Sequence, residues 1–193
     1  ATKEHGLNWL YDTGSPEETR CDEFYSHMDV VLMGRQTFEE IEKTENPAAS
    51  YPATENYVFT HRELACPGFT GVNGNPVEFV KELGNNRNIW VVGGNTILAP
   101  LLDQNMVDCL IVQVAPVLLG AGIPLFTQKE TLHRFHLESV RQYGQFAELV
   151  YCRKTKEDKG YSGKGASQLN TPAWLSAAQA PDRPCSRMPL TGG

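Results

Sequence analysis

The stretch NIWVVGGNTILAPLL, residues 88–102, passes from an apolar strand through a glycine pair into an amphipathic helix with no residue between them. The strand is expected over residues 89–92 and the helix over 96–102. At the carboxyl end of a buried strand, residues without a Cβ let another backbone or a ligand come within hydrogen-bonding distance. The following helix then directs its free N–H groups at the occupant. An anion suits such a position, and Asn95 and Thr96 can cap the helix or bond a phosphate oxygen. Tight strand–helix packing accounts for Gly93 and Gly94 equally well.

Two further strand ends have the same character. VVLMGRQTFEEI, residues 30–41, also runs strand, Gly34, helix, and sets Arg35 and Thr37 in a first helical turn, where a guanidinium and a hydroxyl can meet phosphate. In VFTHRE, residues 58–63, Thr60, His61 and Arg62 offer a hydroxyl, an imidazole and a guanidinium to an anion. Singly, each has a plain alternative: Arg35 as a solvated helix cation, Thr37 as a cap, His61 and Arg62 as a polar loop. Jointly, three phosphate-competent strand ends in an α/β sheet favour a ligand site.

The rest of the pattern supports such a sheet. DEFYSHM (22–28) reads as a short helix, NYVFTH (56–61) as a strand, and PVEFVKEL (76–83) as a helix begun by Pro76 and stopped at Gly84. VDCLIVQVAPVLL (107–119) is a strand interrupted by Pro116, and residues 136–154 form a hairpin turning at Tyr143-Gly144. Alternation followed by antiparallel strands predicts a three-layer α/β domain with a mainly parallel sheet and a C-terminal antiparallel hairpin.

Composition narrows the function. The 193 residues, 40% of them hydrophobic, can bury the core of one domain, expected over residues 1–156. Residues 157–193 lose periodicity and read as a tail. Within it, TPAWLSAAQA is a short helix capped by Thr171, whereas GYSGKGAS lacks the spacing of a phosphate loop. A formal charge of −6 without a Lys/Arg cluster speaks against nucleic acid. No apolar run is long enough to span a bilayer. Five scattered cysteines without a CxxC pair fit reduced thiols and a cytoplasmic location. His133 and His136 form an HxxH whose residues point to different faces, against a metal role. Trp9 and Trp90 read as core aromatics, with Trp9 able to border a planar substrate.

In order and spacing, VVLMGRQTFEEI, NYVFTHRE, IWVVGGNTIL and IVQVAPVLLGAGIPLF resemble the dihydrofolate reductase-like superfamily. The likeness is greatest to the branch containing the reductase domain of bacterial riboflavin biosynthesis and its small stand-alone relatives. It covers residues 7–154. The resemblance implies an NADPH-dependent reductase acting on a pteridine, a pyrimidine or a similar heterocycle, and a homodimer. By correspondence, Gly34, Arg35, Gln36 and Thr37 would face the cofactor phosphates. Thr60, His61 and Arg62 would face the adenosine ribose and its 2′-phosphate, which predicts a preference for NADPH over NADH. Gly93, Gly94, Asn95 and Thr96 would face the pyrophosphate across an unusual, cis Gly93–Gly94 peptide. Asp22 and Glu23 occupy the region of the acid that serves the pterin, although a first helical turn favours acids anyway. The superfamily begins with a central strand, and ATKEHGLNWL resembles the segment just after that strand, so the first strand is expected to be cut from the recorded chain or replaced from the tail. A nucleotide-binding module without turnover is the rival reading, and true folate reduction ranks below both.

Overall fold

The computed structural model describes residues 2, 6–14, 21–127 and 129–153, and at Cys21 and Asp22 the backbone alone. The expectations for residues 157–193 and for the Asp22 carboxylate therefore lie outside the described residues. The described residues divide into two compact units, one lying within 28–108 and 124–133, the other within 2–27, 109–123 and 134–153. Two short helices of the second unit, α1 (Asn8–Tyr11) and α2 (Cys21–Tyr25), open the element order, and no strand precedes Val30 among the described residues.

The first unit is built on β1 (Val30–Gly34), whose Val30, Val31, Leu32 and Met33 have no exposed surface. Four consecutive buried apolar residues require cover on both faces, as in parallel sheets. Helix α3 (Arg35–Ile41), β2 (Glu55–Phe59), β3 (Phe69–Val72), α4 (Pro76–Leu83), β4 (Ile89–Gly93) and α5 (Asn95–Asp103) follow in turn. The four strands form a parallel sheet in the order β3-β2-β1-β4.

Register sorts the side chains into the two faces. Leu32 lies opposite Tyr57 and Val91, and on that face Val77 of α4 and Ile97 and Leu101 of α5 bury themselves against Phe59 and Val91. Phe79 of α4 meets Tyr57 and Phe59 edge-on at 4.9 and 5.5 Å. Val31 lies opposite Asn56 and Trp90 on the other face, where Phe38 of α3 packs on Phe69 at 4.9 Å and Tyr51 touches both Phe69 and Trp90. Helix, sheet and helices are the three layers expected. Trp90 is accordingly a packing aromatic. The buried Asn56 is fully used: its amide donates to the carbonyls of Tyr51 and Gly68, and its oxygen accepts from the Thr54 hydroxyl.

The second unit carries β5 (Cys109–Val114), β6 (His136–Tyr143) and β7 (Phe146–Cys152), an antiparallel sheet in the order β5-β7-β6. β5 stops two residues before Pro116, which has no N–H to continue a ladder. The hairpin turns through Gly144 at φ 52°. Pairing also corrects the reading of the cysteines. β5 and β7 set Cys109 opposite Cys152 with Cα atoms 4.2 Å apart, and their sulfurs are bonded; Cys66 is free. That separation is typical of a non-hydrogen-bonded antiparallel pair. Spacing along the chain could not show it, because 43 positions separate the two residues.

Candidate functional site

The carboxyl ends of β2, β1 and β4 lie side by side, with Gly34 opposite Phe59 and Met33 opposite Gly93. All three strand ends singled out in the sequence therefore meet at one edge of one sheet. A register shift between Leu32 and Met33 leaves Val92 without a partner, a bulge that re-aims the end of β4.

What sits against the glycine pair is first of all the protein itself. A Cβ on Gly94 would lie 3.5 Å from the Cα and N of Gly34, and one on Gly93 would lie 3.1 Å from the Thr37 hydroxyl. The close packing of two strand–helix turns is thus one role of these glycines. The peptide between them is trans, not cis; no cis bond occurs among the described residues. Gly94 makes the turn instead by adopting φ 97°, a conformation that glycine reaches and other residues rarely do.

The surrounding groups divide into bound and open ones. Arg35 is held by its own helix, its Nε donating to Glu39 at 3.1 Å and an Nη to Glu42 at 3.0 Å, with the guanidinium over the Phe38 ring. Gln36 is exposed at the same helix start. Arg62 is 79% exposed and only 3.9 Å from the Glu39 carboxylate, so it is loosely held. Its backbone N–H donates to the Thr60 hydroxyl, whose own proton remains able to meet an anion, and His61 beside them is exposed. Thr96 is exposed in the first turn of α5, whose cap, Gly94, offers no side chain. Asn95 does not cap this helix; its amide donates to the Thr127 hydroxyl at 2.7 Å, and its Oδ1 is buried without a partner.

Glu23 lies in the other unit, where its backbone carbonyl accepts from the Ser26 hydroxyl and bonds the His27 ring. Among the described residues no cluster of three His, Cys, Asp or Glu could hold a metal ion. His133 instead approaches Asp103 at 3.7 Å. Trp9 is half-buried, with an indole nitrogen that has no partner.

An open cleft of about 560 Å³ lies at the opposite, amino end of the parallel sheet, lined by Asp29, Thr54, Glu55 and Arg87 among others. Its charged groups are engaged within the protein: Arg87 grips Glu55 with bonds of 2.8 and 2.6 Å, and Asp29 accepts the Asn88 backbone N–H at 2.8 Å. Ligands of open α/β sheets bind beyond the carboxyl ends of the strands, where the helix N-termini point. The glycine end is therefore the stronger candidate. Sequence reasoning missed Thr127, which only folding brings to Asn95, 32 positions away.

A parallel sheet flanked by helices, with glycine turns and polar groups at adjoining strand ends, defines an open-sheet α/β protein whose candidate site lies beyond the carboxyl ends of its strands. The chain belongs to the RibD C-terminal domain family, whose model matches residues 2–147. It is 29% identical to the uncharacterized protein YwjB of Bacillus subtilis (strain 168) over 157 residues, covering 79% of this chain and 90% of that one. YyaP of the same strain is 26% identical over 144 residues, 67% and 76% of the two chains. Among solved structures, a protein assigned to riboflavin biosynthesis in Shewanella sp. PV-4 superposes with a TM-score of 0.66 at 21% identity, over 80% of this chain and 92% of that one. RibD of Acinetobacter baumannii superposes at 0.57 and 14% identity, over 74% of this chain and 52% of RibD. At these identities the two structures establish the fold, a riboflavin-biosynthesis reductase-like one. No helix among the described residues is long and apolar enough to cross a membrane.

Proposed function

We propose that the chain is an NADPH-dependent reductase that transfers a hydride to a pteridine, a pyrimidine or a similar heterocycle. The observation that carries this reading is the meeting of three phosphate-competent strand ends at one sheet edge, beside the N-termini of α3 and α5. The residues there fit a dinucleotide. The backbone at Gly34, Gly93 and Gly94 is free of Cβ atoms, Asn95 carries an unpaired polar atom, and Arg62 extends into solvent. Gly93, Gly94, Asn95 and Thr96 would hold the pyrophosphate. Gly34, Gln36 and Thr37 would border it, with Arg35 joining only by exchanging a carboxylate for phosphate. Thr60, His61 and Arg62 would read the 2′-phosphate.

NADPH, when bound, supplies the hydride. The protein's part is to orient cofactor and heterocycle and to see that a proton reaches the other atom of the reduced bond, from Asp22, Glu23 or an ordered water. We place the enzyme in the cytoplasm as a homodimer. Exposed Val114, Val117, Leu118, Leu119, Leu137 and Val140 of the second unit favour association. The cytoplasmic reading loses the support of unpaired thiols, since Cys109 and Cys152 are bonded.

Turnover decides the reaction class. NADPH oxidation is expected with at least one member of a panel of pterins, flavins and ribosylaminopyrimidines; cofactor binding with no turnover would make the chain a nucleotide-binding module. Arg62→Ala should weaken NADPH about three- to tenfold and leave NADH unchanged. The effect is small for a charge-assisted contact because the guanidinium is so exposed, and it should shrink with added salt. Equal binding of both cofactors by both proteins would remove the 2′-phosphate assignment.

A further inference from the structure

Two arginines of the candidate site converge on one carboxylate oxygen. Arg35 follows the end of β1 directly, and Arg62 stands three residues beyond the end of β2, the strand paired with β1. Glu39, one turn along α3, accepts from the Arg35 Nε at 3.1 Å, and the same Oε1 lies 3.9 Å from an Arg62 Nη. Glu42 takes an Arg35 Nη at 3.0 Å and, among the described residues, forms no ion pair with Arg62. Two guanidiniums are thus matched by two carboxylates, so these four groups offer an incoming anion no net positive charge.

Glu39 is not needed to place either arginine. Arg35 is held as well by Glu42 and by the Phe38 ring, 5.4 Å from its guanidinium. Arg62 is not anchored by Glu39, because 3.9 Å is beyond hydrogen-bond reach and the arginine side chain is 79% exposed. What Glu39 brings to Arg62 is negative charge. Over a few ångströms that charge still acts through solvent, and it weighs most on a ligand group carrying about two negative charges, as a phosphate monoester does. The uncharged 2′-hydroxyl of NADH meets no such opposition.

We propose that Glu39 is a specificity-determining residue of the cofactor site: its carboxylate occupies the point where Arg35 and Arg62 converge, opposes a phosphate there and so holds down the preference for NADPH over NADH. The inference rests on the reading of Arg62 as the group that meets the 2′-phosphate.

Removing the charge at constant size separates opposition from support. Glu39→Gln should lower the dissociation constants of NADPH and of adenosine 2′,5′-bisphosphate about two- to fivefold, the scale of one exposed charge interaction, and leave that of NADH unchanged. The melting temperature should stay level or fall slightly, since an ion pair along α3 is lost, so the gain in affinity is not a gain in stability. Glu42→Gln, which relieves Arg35 alone, should give a smaller gain. Glu39→Gln in an Arg62→Ala background should lose most of its effect. An unchanged or raised NADPH constant in Glu39→Gln overturns the proposal, as does an equal gain for NADH or a gain that persists in full without Arg62. Failure of the underlying reading looks different: Arg62→Ala alone would leave NADPH binding unchanged, or the wild type would bind neither NADPH nor the bisphosphate, and the role of Glu39 falls with it.

Discussion

Gly94 adopts φ 97° and ψ 106°, and a Cβ there would meet the Gly34 backbone at an ordinary contact distance of 3.5 Å. Alanine at this position is therefore penalised by backbone conformation rather than by collision, at about 1 to 3 kcal/mol. Gly93 poses the converse problem, a Cβ 3.1 Å from the Thr37 hydroxyl in a backbone conformation open to other residues. Thr37 can rotate or shift by a few tenths of an ångström, so Gly93→Ala should cost less. Urea unfolding of the two variants is expected to rank Gly94→Ala as the more damaging, and equal midpoints would contradict the strain argument. The importance of the glycine pair was legible in the sequence, since apolar strand, glycines and helix adjoin without a break. Its neighbour was not, because Gly34 reaches Gly94 only through the pairing of β1 with β4.

Elements with an unbroken apolar run or a helical stripe could be read directly: β1, α3, α4, β4 and α5 all stand within a residue or two of where the pattern puts them. β3 could not, because FTGV is four residues long and holds Gly71 and an exposed Thr70; it is a strand only by lying against β2. The ion pair at the amino end of the sheet was hidden for a related reason, since Glu55 opens β2 and Arg87 precedes β4, 32 positions on. Arg87 and, less strongly, the Tyr57 hydroxyl hold the Glu55 carboxyl at about 2, down from an ordinary 4.5. A folded-state value below the unfolded one contributes stability that is fully present above about pH 4.5 and is lost as pH falls toward 2. Glu55→Gln should thus unfold at lower urea than the wild type at neutral pH, and the gap should close across that acid window. Both side chains are solvent-accessible, so the gap should also narrow in molar salt. A gap that is constant from pH 2 to 7 would mean that the pair does not act through charge.

At the scale of the whole molecule, the layered α/β class came from alternation alone, and the family from four segments in fixed order. The state of the cysteines did not. A count of five with no close pair suggested thiols, but a sheet can bring any two positions opposite each other, and β5 and β7 do so at Cys109 and Cys152. The bond closes a loop of 43 positions that contains β6 and all but the last residue of β7. Cross-linking a loop of that length restricts the unfolded chain by an amount worth about 4 kcal/mol in the chain-entropy account, an upper figure where the unfolded chain is already compact. Dithiothreitol should therefore raise the thiol count by two and lower the urea midpoint of the second unit, whose strands the loop contains. The paired variant Cys109→Ser/Cys152→Ser should reproduce the reduced midpoint and be indifferent to reductant. NADPH binding provides the contrast, since every residue assigned to the cofactor belongs to the first unit. Reduction should leave the dissociation constant nearly unchanged at urea concentrations below either transition. If the reductant releases no thiols, the two sulfurs are not bonded in solution; if it releases them and the midpoint stays, the strand ladder alone holds β5 to β7.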